Sequence, residues 1–160
     1  AIRAVLAPLV TGLEIPDAPR LKPLFGIQHL ETPIEGRLPV PRAGEEPIDV
    51  LALVEALHPT PAVAGAPARE AAAWLRRFEG LERGWYAAPV GWLDVQGGGA
   101  FCVALRSALI RNGVGAAGRP GGSRARLFAG VGLVEGSDPE QELVETRIKL
   151  RALLAPLTEI

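Results

Sequence analysis

Residues 136–150, GSDPEQELVETRIKL, can belong to few folds, because a helix here carries two apolar stripes instead of one. The helix itself is well marked. Ser137 or Asp138 can cap it, Pro139 suits its first position, and Glu140 and Glu142 favour the positive end of its dipole. At about 100° per residue, Glu142, Glu145 and Lys149 fall within an arc of roughly 60°. Glu140, Arg147 and Arg151 gather on another side. Leu143, Leu150 and Leu154 lie on one flank between these stripes, and Val144, Ile148 and Ala152 on the other. A helix laid on a core needs one apolar stripe and one wet one, so one polar stripe is expected to face inward. Inward carboxylates beside a lysine are costly without a cation or ligand, which marks Glu142, Glu145 and Lys149 as a candidate site. The bland alternative is a solvated Glu/Lys pair one turn apart.

The rest of the chain supplies a partner for that helix. AIRAVLAPLV has Ile2, Val5, Leu6 and Leu9 on one helical face, and GLEIPDAPRLKP reads as a proline-punctuated connection. LFGIQHLETPIEGRLP alternates enough for a strand and puts His29 on it. PIDVLALVEALHP and AREAAAWLRRFEGL have helical spacing, the first stopped by Pro59 and the second by Gly80, and HPTPAVAGAP between them is a rigid loop. GWYAAPVGWLDV and AFCVALRSALI are β-rich runs joined by QGGGA, a turn signal for an antiparallel pair. A third strand, ARLFAGVGLVEG, follows the glycine-rich NGVGAAGRPGGSR, expected to be a mobile loop without chemistry. The order is helix, strand, two helices, three strands and a final helix. It predicts an α+β architecture, one domain with an antiparallel sheet flanked by helices.

Composition excludes several classes. Seventeen basic residues against 18 acidic ones, with few aromatics, give no basic or stacking surface for nucleic acid. The single cysteine, Cys102, permits no internal disulfide or cysteine-based zinc site, fits a reducing cytoplasm, and is expected to pack in the core. No apolar run approaches the roughly 20 residues of a membrane span, and no signal-peptide pattern is present, so a soluble, cytoplasmic protein is expected. The chain has no methionine and its first helix lacks an N-cap, so it is expected to be a fragment of a longer protein.

Other candidate groups are individually ambiguous. Arg106 ends the apolar run FCVALR and either lies in a surface ion pair or reaches a carboxylate with its planar fork. The glycines of FAGVG leave the backbone of Gly130 to Gly132 bare, either for a tight strand crossing or for an anion. With the Glu142, Glu145 and Lys149 stripe they describe a site for a small acidic molecule and a divalent cation, for which Mg²⁺ suits the hard oxygen ligands. His29 and His58 could be catalytic or merely hydrogen-bonded. GGGAFC lacks the lysine and hydroxyl residue of a phosphate loop, and no serine sits in a hydrolase motif.

Taken in order, QHLETPIEGRL, HPTPAVAGAP, RGWYAAPVGWLD, VALRSALI and RLFAGVGLVEGSDPEQELVETRIKL resemble the C-terminal half of chorismate-utilising enzymes, most closely isochorismate synthases. The resemblance covers nearly the whole chain apart from the glycine-rich loop. Anthranilate and aminodeoxychorismate synthases of this family tend to carry a hydroxyl residue and a lysine where this chain has Ala62 and Ala68. The resemblance therefore implies water, and not ammonia, as nucleophile. Salicylate- and anthranilate-type relatives remain alternatives, as does a non-catalytic module. It implies the chorismate-binding fold and the conversion of chorismate to isochorismate, for menaquinone or siderophore production.

Carried over to matching positions, the resemblance makes Glu145 a Mg²⁺ ligand and Glu142 either a ligand through water or an acid neighbouring the ligands. It places Lys149 near the ring carboxylate, Arg106 and Tyr86 on the enolpyruvyl carboxylate, and the Gly130 backbone as a donor to substrate. His29 would line the reacting carbons as the catalytic candidate, and Ala62 would shape the nucleophile pocket. Ala100 departs from relatives that often have an acidic residue there, which bears on hairpin packing. The lysine that activates water, the glutamate that protonates the leaving hydroxyl and a further metal-binding glutamate are implied to precede Ala1. The chain alone is accordingly expected to be inactive, and to self-associate through surface that the rest of the enzyme would cover.

Overall fold

Capping and strand pairing organise the chain more than burial does. The computed structural model describes residues 1–24, 27–112 and 122–158. The glycine-rich loop expected around 112–124 lies largely outside these. Contacts divide the chain into two units, residues 1–60 with 91–101, and residues 61–90 with 102–160.

In the first unit, α1 (Ile2–Leu6) stops short of Pro8 and packs with α2 (Val50–Leu57). α2 starts where predicted because Asp49 accepts a hydrogen bond from the Ala52 N–H at 2.8 Å. The segment expected as a connection instead holds two strands, β1 (Thr11–Glu14) and β2 (Arg20–Leu24). β2 pairs antiparallel with β3 (Ile27–Glu31), and β1 with β4 (Glu35–Arg37). Pairing prevails over the prolines because Arg20 and Lys22 both meet the Glu31 carboxylate across the β2/β3 ladder.

The hairpin of β5 (Pro89–Leu93) and β6 (Gly99–Val103) forms as its turn predicted. Asp94 Oδ1 accepts from the N–H groups of Gln96 and Gly98 at 2.9 and 2.8 Å, and Gly97 takes φ +83°, which a side chain would strain. At Gly91 a Cβ would lie 2.1 Å from the Ala100 carbonyl oxygen, so only glycine lets the strands approach.

In the second unit, α3 (Pro61–Ala64) forms a short turn inside the expected loop, and α4 (Ala68–Phe78) follows with Glu70 in its first turn and Arg76 and Arg77 in its last. Gly80, at φ +65°, ends it. The run AFCVALRSALI is two strands, not one: β6 ends at Val103 and β7 (Ser107–Arg111) begins after a corner at which Arg106 takes φ +49°. β7 pairs antiparallel with β8 (Arg124–Phe128), which is shorter than the predicted third strand, and β8 contacts α5 (Pro139–Thr158). The expected α+β architecture with antiparallel pairing is present, as two-stranded sheets. Among the described residues the buried apolar side chains are Ala87 and Phe128. Cys102 is exposed, contrary to the core role expected of it, because β6 alternates and Phe101 and Val103 take its inner face.

Candidate functional site

Asp138 builds the start of α5. Its Oδ1 accepts from the N–H groups of Glu140 at 2.8 Å and Gln141 at 3.3 Å, while Ser137 Oγ accepts from the Val134 N–H. The helix then presents Glu142, Glu145 and Lys149 as one stripe. Lys149 is more covered than Glu145, their side chains being 21% and 55% exposed, and Val144 and Ile148 of the neighbouring apolar stripe are 53% and 56% exposed. Its ammonium holds Glu145 Oε1 at 2.6 Å and donates to the Gly130 carbonyl at 3.1 Å, which ties α5 to the FAGVG segment beyond β8.

Gly130 in turn meets Tyr86. A Cβ at Gly130 would come within 2.8 Å of the Tyr86 hydroxyl oxygen. The Tyr86 ring stacks on Phe128 with centroids 5.5 Å apart and planes at 17°, so a buried apolar side chain sets its plane. The chain turns just before: the Tyr86 N–H donates to the Arg83 carbonyl at 2.9 Å, and Ala87 is held at φ +65° by bonding its N–H to the Ala104 carbonyl at 3.0 Å. That turn leads to the corner of Arg106, which is half-buried and whose charge reaches Glu145.

Electrostatics follow the geometry. Glu145 is held below the ordinary carboxylate range, first by the hydrogen bond from Lys149, then by the charges of Lys149 and Arg106. Burial pushes the Tyr86 hydroxyl upward, partly offset by the charge of Arg83. Tyr86, Arg106, Gly130, Glu145 and Lys149 are thereby brought together, from segments separated by up to most of the unit's sequence. Glu142, half-buried, lies one turn before Glu145 on α5. Ala62 is exposed on α3. His29 belongs to the first unit, exposed on β3 opposite Lys22.

For a divalent cation, α5 offers two carboxylates three residues apart. No group of three or more His, Cys, Asp or Glu side chains able to hold a metal occurs among the described residues. Hard carboxylate oxygens in that number fit Mg²⁺, which binds through one or two carboxylates and completes its shell with water and substrate oxygens.

Sequence reasoning missed Arg83 and Phe128. Arg83 donates Nε and Nη2 to Glu79 at 2.7 and 2.6 Å, and its guanidinium lies 5.8 Å from the Tyr86 ring centroid. The Glu79/Arg83 spacing was the available signal.

This frame of helices and antiparallel pairs gathers a lysine, an arginine, a tyrosine and carboxylates in its second unit. The chain matches the chorismate binding enzyme family over residues 1–158 and belongs to that family. Among its relatives, the salicylate biosynthesis isochorismate synthase of Pseudomonas aeruginosa is 51% identical over all 160 residues, which are 30% of that protein. Isochorismate synthase MenF of Bacillus subtilis is 46% identical over 145 residues, 91% of this chain and 27% of that one. The crystal structure of a putative 2,3-dihydroxybenzoate-specific isochorismate synthase, DhbC, from Bacillus anthracis superposes with a TM-score of 0.81 at 33% identity. The match covers 98% of this chain and 38% of that one. The chain thus spans about a third of the length of these relatives.

Proposed function

We propose that the whole protein is an isochorismate synthase, adding water at ring C2 of chorismate as the C4 hydroxyl leaves, and that this chain contributes its carboxylate-binding side. The observation that carries the reading is the linked set Tyr86, Gly130, Lys149 and Glu145, with the charge of Arg106 reaching Glu145. It occurs in a chain whose relatives at 51% and 46% identity are isochorismate synthases. Chorismate carries two carboxylates, and two cationic side chains and a hydroxyl are the complement such a dianion needs. Arg106 and Tyr86 take the enolpyruvyl carboxylate. Lys149 turns toward the ring carboxylate, and the Gly130 backbone N–H donates to the same molecule.

Glu145, with Glu142, is the proposed Mg²⁺ ligand. The cation, when bound, neutralises and polarises the ring carboxylate. Lys149 and Glu145 are partners in this structure, so the lysine holds the carboxylate charged and aligned. Ala62 offers no hydroxyl to hold a nitrogen nucleophile, which favours water. Soluble cytoplasmic operation belongs to the same proposal. No helix among the described residues is long and apolar enough to cross a membrane.

The test is product analysis of the full-length protein supplied with chorismate, Mg²⁺ and ammonium. Isochorismate as the product is expected. Anthranilate, aminodeoxychorismate or salicylate would assign it to a different reaction, and unchanged chorismate would refute catalysis. The 160-residue chain alone is expected to form no isochorismate, and turnover above background would refute that part.

A further inference from the structure

From the contacts around α4 and the turn after it, we infer that Arg83 is a positioning residue that fixes Tyr86 against the substrate. It uses the planar fork in three directions. Nε and Nη2 close a bidentate pair with Glu79 just beyond the end of α4, at 2.7 and 2.6 Å. Nη1 donates to the Val63 carbonyl on α3 at 3.4 Å, next to Ala62. The guanidinium stands 5.8 Å from the centroid of the Tyr86 ring. The backbone of the same residue accepts the Tyr86 N–H at 2.9 Å. One residue therefore joins the α3 turn beside the nucleophile pocket, the end of α4 and the ring whose hydroxyl touches Gly130.

The pair is also protected. Arg83 and Glu79 side chains are 27% and 24% exposed, and the bonds to Glu79 hold the guanidinium charged more firmly than usual. A lysine could keep the charge and one bond but not the fork. Stacking on Phe128 sets the plane of the Tyr86 ring, but a stacked ring still slides in its plane. Arg83, beside the ring and bonded to the backbone N–H of the same residue, removes that freedom. Because Arg83 touches Tyr86 and neither reacting carbon, its loss weakens substrate binding and leaves the chemical step nearly intact.

This inference rests on the proposed contact between Tyr86 and chorismate. The experiment is a double-mutant cycle in the full-length protein, following chorismate consumption whatever the product: Arg83→Gln and Arg83→Lys, each alone and combined with Tyr86→Phe. Arg83→Gln is expected to raise KM about tenfold with kcat within about twofold. In the Tyr86→Phe background the same change should alter KM by less than about twofold, because the hydroxyl to be positioned is already gone. Arg83→Lys, which keeps the charge and the apolar stem, reads the same cycle if the glutamine variant fails to fold, and is expected to recover only part of KM. Equal KM effects in both backgrounds, or a fall in kcat at unchanged KM, would overturn the inference while leaving the proposed function standing. Formation of a product other than isochorismate would refute the function and leave the cycle readable.

Discussion

Replacing Gly130 with alanine is the sharpest structural probe of the site. The new Cβ would sit 2.8 Å from the Tyr86 hydroxyl oxygen, where ordinary contact begins at 3.4 Å. One of the two must therefore move by about 0.6 Å, and the ring is held against retreat by Arg83 beside it as well as by its stacking on buried Phe128. The Gly130 carbonyl also receives Lys149, so a backbone shift would loosen the Lys149 and Glu145 pair instead. Misplacing a positioned group by about 1 Å can cost about a hundredfold, so about tenfold in chorismate KM is expected here, or about 1.4 kcal/mol. Stability should change by less than about 1 kcal/mol, since the contact is with the end of one side chain. The assay is chorismate consumption by the full-length protein, with thermal denaturation alongside. Tyr86→Phe removes the clashing oxygen, so Gly130→Ala added to it should cost almost nothing further. A tenfold loss that persists in the phenylalanine background, or no loss in the parent, would refute the proposed coupling of Gly130, Tyr86 and substrate.

Other expectations follow from single contacts. Asp138→Ala removes the acceptor for the Glu140 and Gln141 N–H groups, so it should cost about 1 kcal/mol in denaturant unfolding and weaken Mg²⁺ binding by fraying the turn that carries Glu142. Gly91→Ala forces a Cβ to 2.1 Å from the Ala100 carbonyl oxygen and 2.6 Å from the Phe101 ring, and should destabilise the β5/β6 hairpin by about 2 kcal/mol or more on thermal melting. Glu31 is held below its ordinary value of 4.5, first by the hydrogen bond from Lys22 and then by that from Arg20. A depressed carboxylate contributes stability that is present above its unfolded value and lost as pH falls through the folded one. Stability should therefore drop as pH is lowered below about 4.5, and Glu31→Gln should flatten that dependence in pH-dependent unfolding. The isolated chain, with Trp85, Leu143, Val144 and Ile148 at half exposure or more, should self-associate with concentration by light scattering; a constant monomer mass would contradict this.

Helices were legible in the sequence because their signals are local. Asp49, Asp138, Pro139 and Gly80 act on the backbone within one turn, and each ends or begins a helix where its chemistry says it should. The strands were less so. β2 carries Pro23 and charged residues, and what makes it a strand is the pairing of Arg20 and Lys22 with Glu31 eleven and nine residues away, which no local pattern encodes. The corners at Ala87 and Arg106 take left-handed backbone without a glycine to announce it, so the β-rich pattern of the sequence continues through both. The site was half legible. Helical spacing alone grouped Glu142, Glu145 and Lys149, the ends of FCVALR and FAGVG marked Arg106 and Gly130 as candidates, and the family resemblance supplied Tyr86. Arg83 and Phe128 were hidden because their roles arise from contacts with Val63 and Tyr86 that only the folded chain creates.

The central claim is that water is the nucleophile, delivered to a chorismate held by the Arg106, Tyr86 and Lys149 side of the site. It is tested most directly by incubating the full-length protein with chorismate and Mg²⁺ in isotopically heavy-oxygen water and weighing the product. One heavy oxygen at ring C2 of isochorismate is predicted. Isochorismate without the label would contradict it.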